Sequence, residues 1–197
     1  LRGRAMGRIF RMSAQLAIDT STSRTSVGLI ANNELIWSAH EDGATAHAEA
    51  IPRLVHKALA INNEISRVIV GMGPGPYTGL RAGISFAQAF AWARNIDVSG
   101  VCSLDAIACT ATEYIAATDA RRKEIYWAKY IGGKRVDGPH VNVPADVSGE
   151  VFVGEGAHKY GLCTEATYPD VSVFHLLAHV DQPMYLRRPD AVPTLER

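Results

Sequence analysis

From Gln15 onward the chain opens with apolar runs broken by polar turns. QLAIDT ends in STSR, TSVGLIA follows, Asn32-Asn33 makes a tight turn, and ELIWSAH runs to His40. Short runs bounded by turn residues predict three strands in meander order. The period then changes. Ile51, Leu54, Val55, Ala58 and Leu59 fall at i, i+3, i+4, i+7 and i+8, one face of a helix at about 46–61. Pro52 fits only a first turn, so the regular helix is expected to start near Ala50 or to kink there. RVIVGMG predicts a buried strand, and GPGPYTGLR a loop opening into a helix at about 81–94, AGISFAQAFAWAR. That helix is apolar on most faces, which calls for burial or a covering partner. DVSGVC predicts a further buried strand, and SLDAIACTATEYIAAT reads as a third helix capped by Ser103.

This β-β-β-α-β-α-β-α order predicts an α/β lobe with a mixed sheet. After Asp119 the texture turns to strands and turns: EIYWAKYI, the Gly132-Gly133 turn, a stretch with Pro139 and Pro144, EVFVG, and a short helical run around FHLLAHV. The expected division is an extension or tag remnant over 1–14, a first lobe over 15–118 and a smaller second lobe over 119–197.

Composition fits a globular protein, with 47% hydrophobic and 20% charged residues in 197. Lysines plus arginines and aspartates plus glutamates balance at 20 each, but Arg2, Arg4, Arg8 and Arg11 sit together before Ser13. Without those four, sixteen bases face twenty acids. A body so charged is poorly suited to grip a polyanion alone, so RNA would be held through a partner. No run approaches the ~20 apolar residues of a membrane-spanning helix. Three cysteines, Cys102, Cys109 and Cys163, without CxxC spacing, fit reduced thiols in the cytoplasm.

Several segments admit a chemical or a structural reading. In the loop from Gly71 to Arg81, Gly73, Gly75 and Gly79 could cradle a phosphate at a helix N-terminus. Neither Gly-Lys-Ser/Thr nor GxGxxG is present, and a strand-to-helix turn stiffened by Pro74 and Pro76 is the alternative. Asp19, Thr20 and Ser21 could meet a nucleotide phosphate or a metal, or could simply close the hairpin. His175 and His179 have the i, i+4 spacing that chelates zinc on a helix, but no Glu sits between them and no third ligand is near, so a solvated or core-edge pair is the favoured reading. No complete nucleophile–base or metal set emerges, and no cofactor is implied.

Taken together, the segments resemble a family. IDTST opening a meander is similar to the first lobe of the actin, Hsp70 and sugar-kinase superfamily, whose fold is ribonuclease H-like. The string from VGMGPGPYTGLR to CSLDAIA resembles the TsaB (YeaZ) proteins, long grouped with the M22 glycoproteases. DARRKEIYWA at 119–128, VGEGA at 153–157 and YLRRPDA at 185–191 extend the likeness to nearly the whole chain. The resemblance implies an actin-like fold with a small, degenerate second lobe, and work on N6-threonylcarbamoyladenosine in tRNA. It also implies that the catalytic relative TsaD carries a metal-holding His-x-x-x-His where this chain has Ser103 and Ile107. Neither a serine hydroxyl nor an isoleucine replaces an imidazole ligand.

Three functions follow as expectations. The first is a non-catalytic scaffold that binds TsaD, reaches the ATPase TsaE through the complex, contacts tRNA only indirectly and forms a homodimer when alone. The second is a metal-dependent glycoprotease-like peptidase, and the third a sugar-kinase-like ATPase. Family docking implies a partner surface on the two first-lobe helices, drawn from Ile51, Leu54, Val55, Ala58, Ala82, Phe86, Ala87, Phe90 and Ala91.

Overall fold

A computed structural model describes residues 12–43 and 46–187. Its first sheet has the order β3-β2-β1-β4-β5, from β1 (Ala14–Asp19), β2 (Arg24–Ala31), β3 (Glu34–Asp42), β4 (Ile65–Gly71) and β5 (Asp97–Val101). The meander β1–β2–β3 is antiparallel, while β4 lies parallel to both β1 and β5. Helices α1 (His47–Ile61) and α2 (Tyr77–Arg94) make the crossovers and share one face of the sheet.

Alternation along the strands divides two cores. Leu16, Ile18, Val27, Leu29, Val68 and Val70 face the helices, where they meet Ile51, Leu54, Val55, Ala58, Leu80, Ile84, Ala87 and Ala91. Each Leu, Ile or Val so buried contributes about 1.5–3 kcal/mol. On the other face Ala17, Ile30, Ile69 and Val101 pack on Val171 and Phe174 from a 3₁₀ segment, Val171–Leu176.

The second sheet has the order β8-β7-β6-β9, from β6 (Glu113–Asp119), β7 (Ile125–Ile131), β8 (Lys134–Asn142) and β9 (Phe152–Val153). Tyr114, Ala116, Ala128 and Tyr130 face Cys102, Leu104 and Ile107. Ile115, Ala117 and Ile125 face Val147, Phe152 and Ala157, the last on α3 (Glu155–Lys159).

Four expectations need correcting. The third helix does not form: Ser103–Ala106 is a single 3₁₀ turn, and EYIAATD is β6. A short apolar run buried on both faces has no helical or strand period to read, and full-length pairing with β7 decides it. The chain therefore changes sheets before Glu113 rather than near Thr118, and returns to the first sheet at Val171. Pro52 lies inside α1, which starts at His47. Ala14, placed in the extension, is a fully buried residue of β1, while Arg2, Arg4, Arg8, Arg11 and most of YLRRPDA lie outside the described residues.

Candidate functional site

Because β1, β4 and β5 run parallel, their carboxyl ends meet at one edge of the first sheet, where α/β folds place ligands. Asp19 ends β1, the glycine loop leaves β4 at Gly71, and Ser103 follows β5. Asp19 is 2% exposed, and both of its oxygens are engaged. Oδ1 accepts from the Ser21 backbone N–H at 3.0 Å and from the Ser21 hydroxyl at 2.8 Å. Oδ2 accepts from the Ser103 hydroxyl at 2.6 Å. Burial pushes the Asp19 carboxyl above its ordinary range, and these bonds pull the other way.

The loop closes tightly onto this edge. Thr20 Oγ1 donates to the Gly79 carbonyl at 2.8 Å, Ser103 N to the Gly73 carbonyl at 2.8 Å, and Met72 N to Val101 O at 2.8 Å. Glycine is required here by contact. A Cβ on Gly71 would fall on the Asp19 carboxylate, one on Gly75 would lie 2.8 Å from Ser21 Cα, and one on Gly79 would lie 2.7 Å from the Thr20 carbonyl. Asp19, Thr20, Ser21, Gly73, Gly75 and Gly79 are thus brought together, as the phosphate-loop reading requires. The Asp19, Thr20 and Ser21 side chains and the Gly73 and Gly79 carbonyls, however, are engaged within the chain. The hairpin-closing role of Asp19 and Ser21 coexists with a long-range bond to Ser103 that local sequence does not reveal.

His47 belongs to the same neighbourhood and escapes sequence reading. It is 5% exposed, its Nδ1 lies 2.8 Å from Thr25 Oγ1, and a Cβ on Gly79 would lie 3.2 Å from its Nε2. Burial, and then the charge of Arg121 from the second lobe, hold its pKa below the usual imidazole value. The only sequence signal is its place in the first turn of α1.

In the second lobe the two motifs DAR and VGEGA prove to be one structure. Glu155 Oε1 accepts from Asp119 N at 3.0 Å, and Lys159 Nζ lies 2.7 Å from Asp119 Oδ2. Tyr160 donates to Asp119 Oδ1 at 3.3 Å, and Arg121 N donates to the same oxygen at 3.1 Å. Arg121, Arg122 and Lys123 then follow with φ of 63°, 50° and 64°, a run of left-handed backbone unusual for side chains of this size. Arg187 pins this turn by donating to Ala120 O at 2.9 Å and pairing with Glu124.

The expected partner surface divides. Ile51, Leu54, Val55, Ala58, Ala87 and Ala91 are at most 3% exposed in the lone chain and face its own sheet. As outward contacts they are corrected, because the single apolar stripe of each helix is needed for the first core. Ala82, Phe86 and Phe90 remain half-buried at the margin, with the two phenyl rings stacked at 5.9 Å. Outward on α2 lie Ser85, Gln88, Ala89 and Trp92, the last 86% exposed. His175 and His179 share no helix, since the 3₁₀ segment ends at Leu176, and His179 pairs with Asp181 at 2.8 Å. Ile107 is core, 1% exposed. Among the described residues no helix is long and apolar enough to cross a membrane.

A mixed five-stranded sheet with three strand ends at a glycine loop, joined to a second sheet, places the molecule in the actin-like ATPase class of α/β folds. The YeaZ structure from Pseudomonas aeruginosa superposes with a TM-score of 0.75 at 26% identity, covering 89% of this chain and 100% of that one. A family model described as TsaD, tRNA N6-adenosine threonylcarbamoyltransferase, matches residues 40–169. An uncharacterized protein of Mycobacterium tuberculosis is 41% identical over 204 residues, covering 93% of this chain and 96% of its own length. The tRNA threonylcarbamoyladenosine biosynthesis protein TsaB of Escherichia coli is 35% identical over 125 residues, which span 58% of this chain and 54% of that protein. The chain belongs to this TsaD-related family, and its homologues include the TsaB (YeaZ) proteins.

Proposed function

We propose that this chain is a non-catalytic subunit of tRNA threonylcarbamoyladenosine biosynthesis, which docks on a catalytic TsaD protein and helps to bring in TsaE. The observation that carries the reading is the closed edge of the first sheet. Asp19 has both oxygens bonded to serines of its own chain, and the Thr20 hydroxyl is bonded to the loop. On the family resemblance, Ser103 and Ile107 stand in for a metal-holding His pair of the catalytic relative. Here the first side chain is locked on Asp19 and the second is packed in the core. Asp19 and Ser103, engaged with each other, leave this edge no free carboxylate–hydroxyl pair to offer a metal. The same engagement weighs against the kinase-like and peptidase-like alternatives.

The outer faces of α1 and α2 support docking. Trp92 stands almost wholly in solvent on the outer side of α2, and large exposed aromatic side chains of this kind are favoured anchors of association sites. The same surface would pair two copies when TsaD is absent. The test is co-purification with the cognate TsaD, followed by mass spectrometry of modified tRNA. The wild-type chain should form a stable complex and support modification, and Trp92→Glu should lose both while remaining folded. If the chain fails to bind TsaD, or if modification proceeds equally without it, the proposal fails.

A further inference from the structure

The sheet face opposite the helices is covered by Val171–Leu176, and this cover leaves a gap toward the β5 edge. There an open cavity of about 290 Å³ lies against β4 and β5, lined among others by Arg67, Ser99, Phe174, His175, Leu177 and His179. It lies on the sheet face opposite the helices, and nothing in the proposed function uses it.

What distinguishes the cavity is its unpaired nitrogen. Arg67 Nε and both ring nitrogens of His175 are shut off from solvent and have no hydrogen-bond partner. Native interiors satisfy nearly all such groups, so three around one cavity call for an explanation. Arg67 donates Nη2 to Gln15 Oε1 at 2.9 Å, a neutral partner, and makes no ion pair among the described residues. Asp97, its register neighbour on β5, is exposed and does not pair with it. His179 is already paired with Asp181.

Chemistry limits what would satisfy this set. A guanidinium presents only donors, and an imidazole presents at least one. The missing partner is therefore rich in acceptors and compensates a cation. Arg67 offers a planar fork suited to carboxylate or phosphate oxygens. Val98 and Leu177, both half-buried, add an apolar wall on which a short aliphatic body could rest. We propose that this cavity is a binding site for a small oxyanion, held by Arg67 and His175 once their side chains turn these nitrogens toward it.

The experiment is an amide-resolved NMR titration of the full chain with inorganic phosphate and, separately, with butyrate. Both are run at fixed pH, with sodium chloride at matched ionic strength as the control. Saturable shifts are expected at residues 99–101 and 174–179, with at least tenfold weaker binding in Arg67→Gln and in His175→Phe. Saturation by phosphate alone or by butyrate alone supports the site and identifies the source of its oxyanion. Should Arg67→Gln unfold, Arg67→Lys keeps the charge but not the fork, and at least threefold weaker binding is expected. Shifts that stay linear, that chloride reproduces, or that survive the substitutions unchanged would overturn the proposal.

Discussion

Replacing Ser103 by alanine removes one oxygen from a short, buried polar contact. Its hydroxyl lies 2.6 Å from Asp19 Oδ2, and both residues are at most 2% exposed, so no water stands ready to replace it. A hydrogen bond to a charged group contributes about 1.5–3 kcal/mol, and the loss should fall in that range because the carboxylate stays buried. For a chain of this size each kcal/mol moves Tm by about 2–4 °C, which predicts a fall of about 3–12 °C at pH 7.5. The pH dependence follows from linkage. Burial raises the Asp19 pKa above its ordinary 3.8, so the native state takes up this proton at higher pH than the unfolded chain. The stability Asp19 contributes is then fully present below 3.8 and is lost as pH rises through the raised native pKa. Ser103 opposes that rise, and Ser103→Ala enlarges it. The penalty should therefore be greatest near neutrality and shrink on acidification, read by paired urea melts across pH. A loss below about 0.5 kcal/mol at pH 7.5, within the ordinary scatter of harmless substitutions, or one that grows as pH falls, refutes the reasoning.

Other perturbations probe the same edge and its surroundings. Gly75→Ala should destabilise by about 3 kcal/mol or more, since its Cβ meets the backbone of Ser21 with no flexible side chain to yield; a melt within 2 °C of wild type, on the order of 1 kcal/mol, would contradict this. Asp19→Asn should retain the fold, because the amide can accept from Ser21 and donate to the Ser103 hydroxyl, and thermal melts should place it within about 1.5 kcal/mol of wild type. Trp92→Ala should change the stability of the lone chain by no more than about 0.5 kcal/mol, given its exposure, while weakening association with TsaD by about 2 kcal/mol or more in a calorimetric titration. Cys102, whose thiol burial pushes up to about 12, should resist iodoacetamide at pH 8 in the native chain and react on unfolding, as read by intact mass.

The first sheet was legible because its signals are local. Short apolar runs bounded by turn residues, the Asn32-Asn33 turn and the i, i+3, i+4 stripe of α1 each declare themselves within a dozen residues, and the first five strands and both helices lie close to the segments those signals mark. EYIAATD failed because a strand buried on both faces shows no period, so its identity rests on β7, which lies later in the chain. The glycine loop was recognised as a unit, but its chemical state was not. Whether Asp19 faces a ligand or its own chain depends on Ser103, 84 residues away. The apolar stripes of the helices are legible but their neighbour is not, because composition cannot say whether a buried alanine such as Ala87 touches its own sheet or a partner. Trp92, which does face outward, was passed over as one more apolar residue of a helix apolar nearly all round.

The central claim is that this chain assists threonylcarbamoyladenosine formation without performing chemistry at its own glycine loop. It is tested most directly by measuring the modified nucleoside by mass spectrometry in a reconstituted reaction with the cognate TsaD, TsaE and tRNA. The reaction is run with no added chain, with the wild type, and with Asp19→Asn. The account predicts little product without the chain and equal product with the two versions of it. Loss of product with a folded, TsaD-binding Asp19→Asn chain would contradict it.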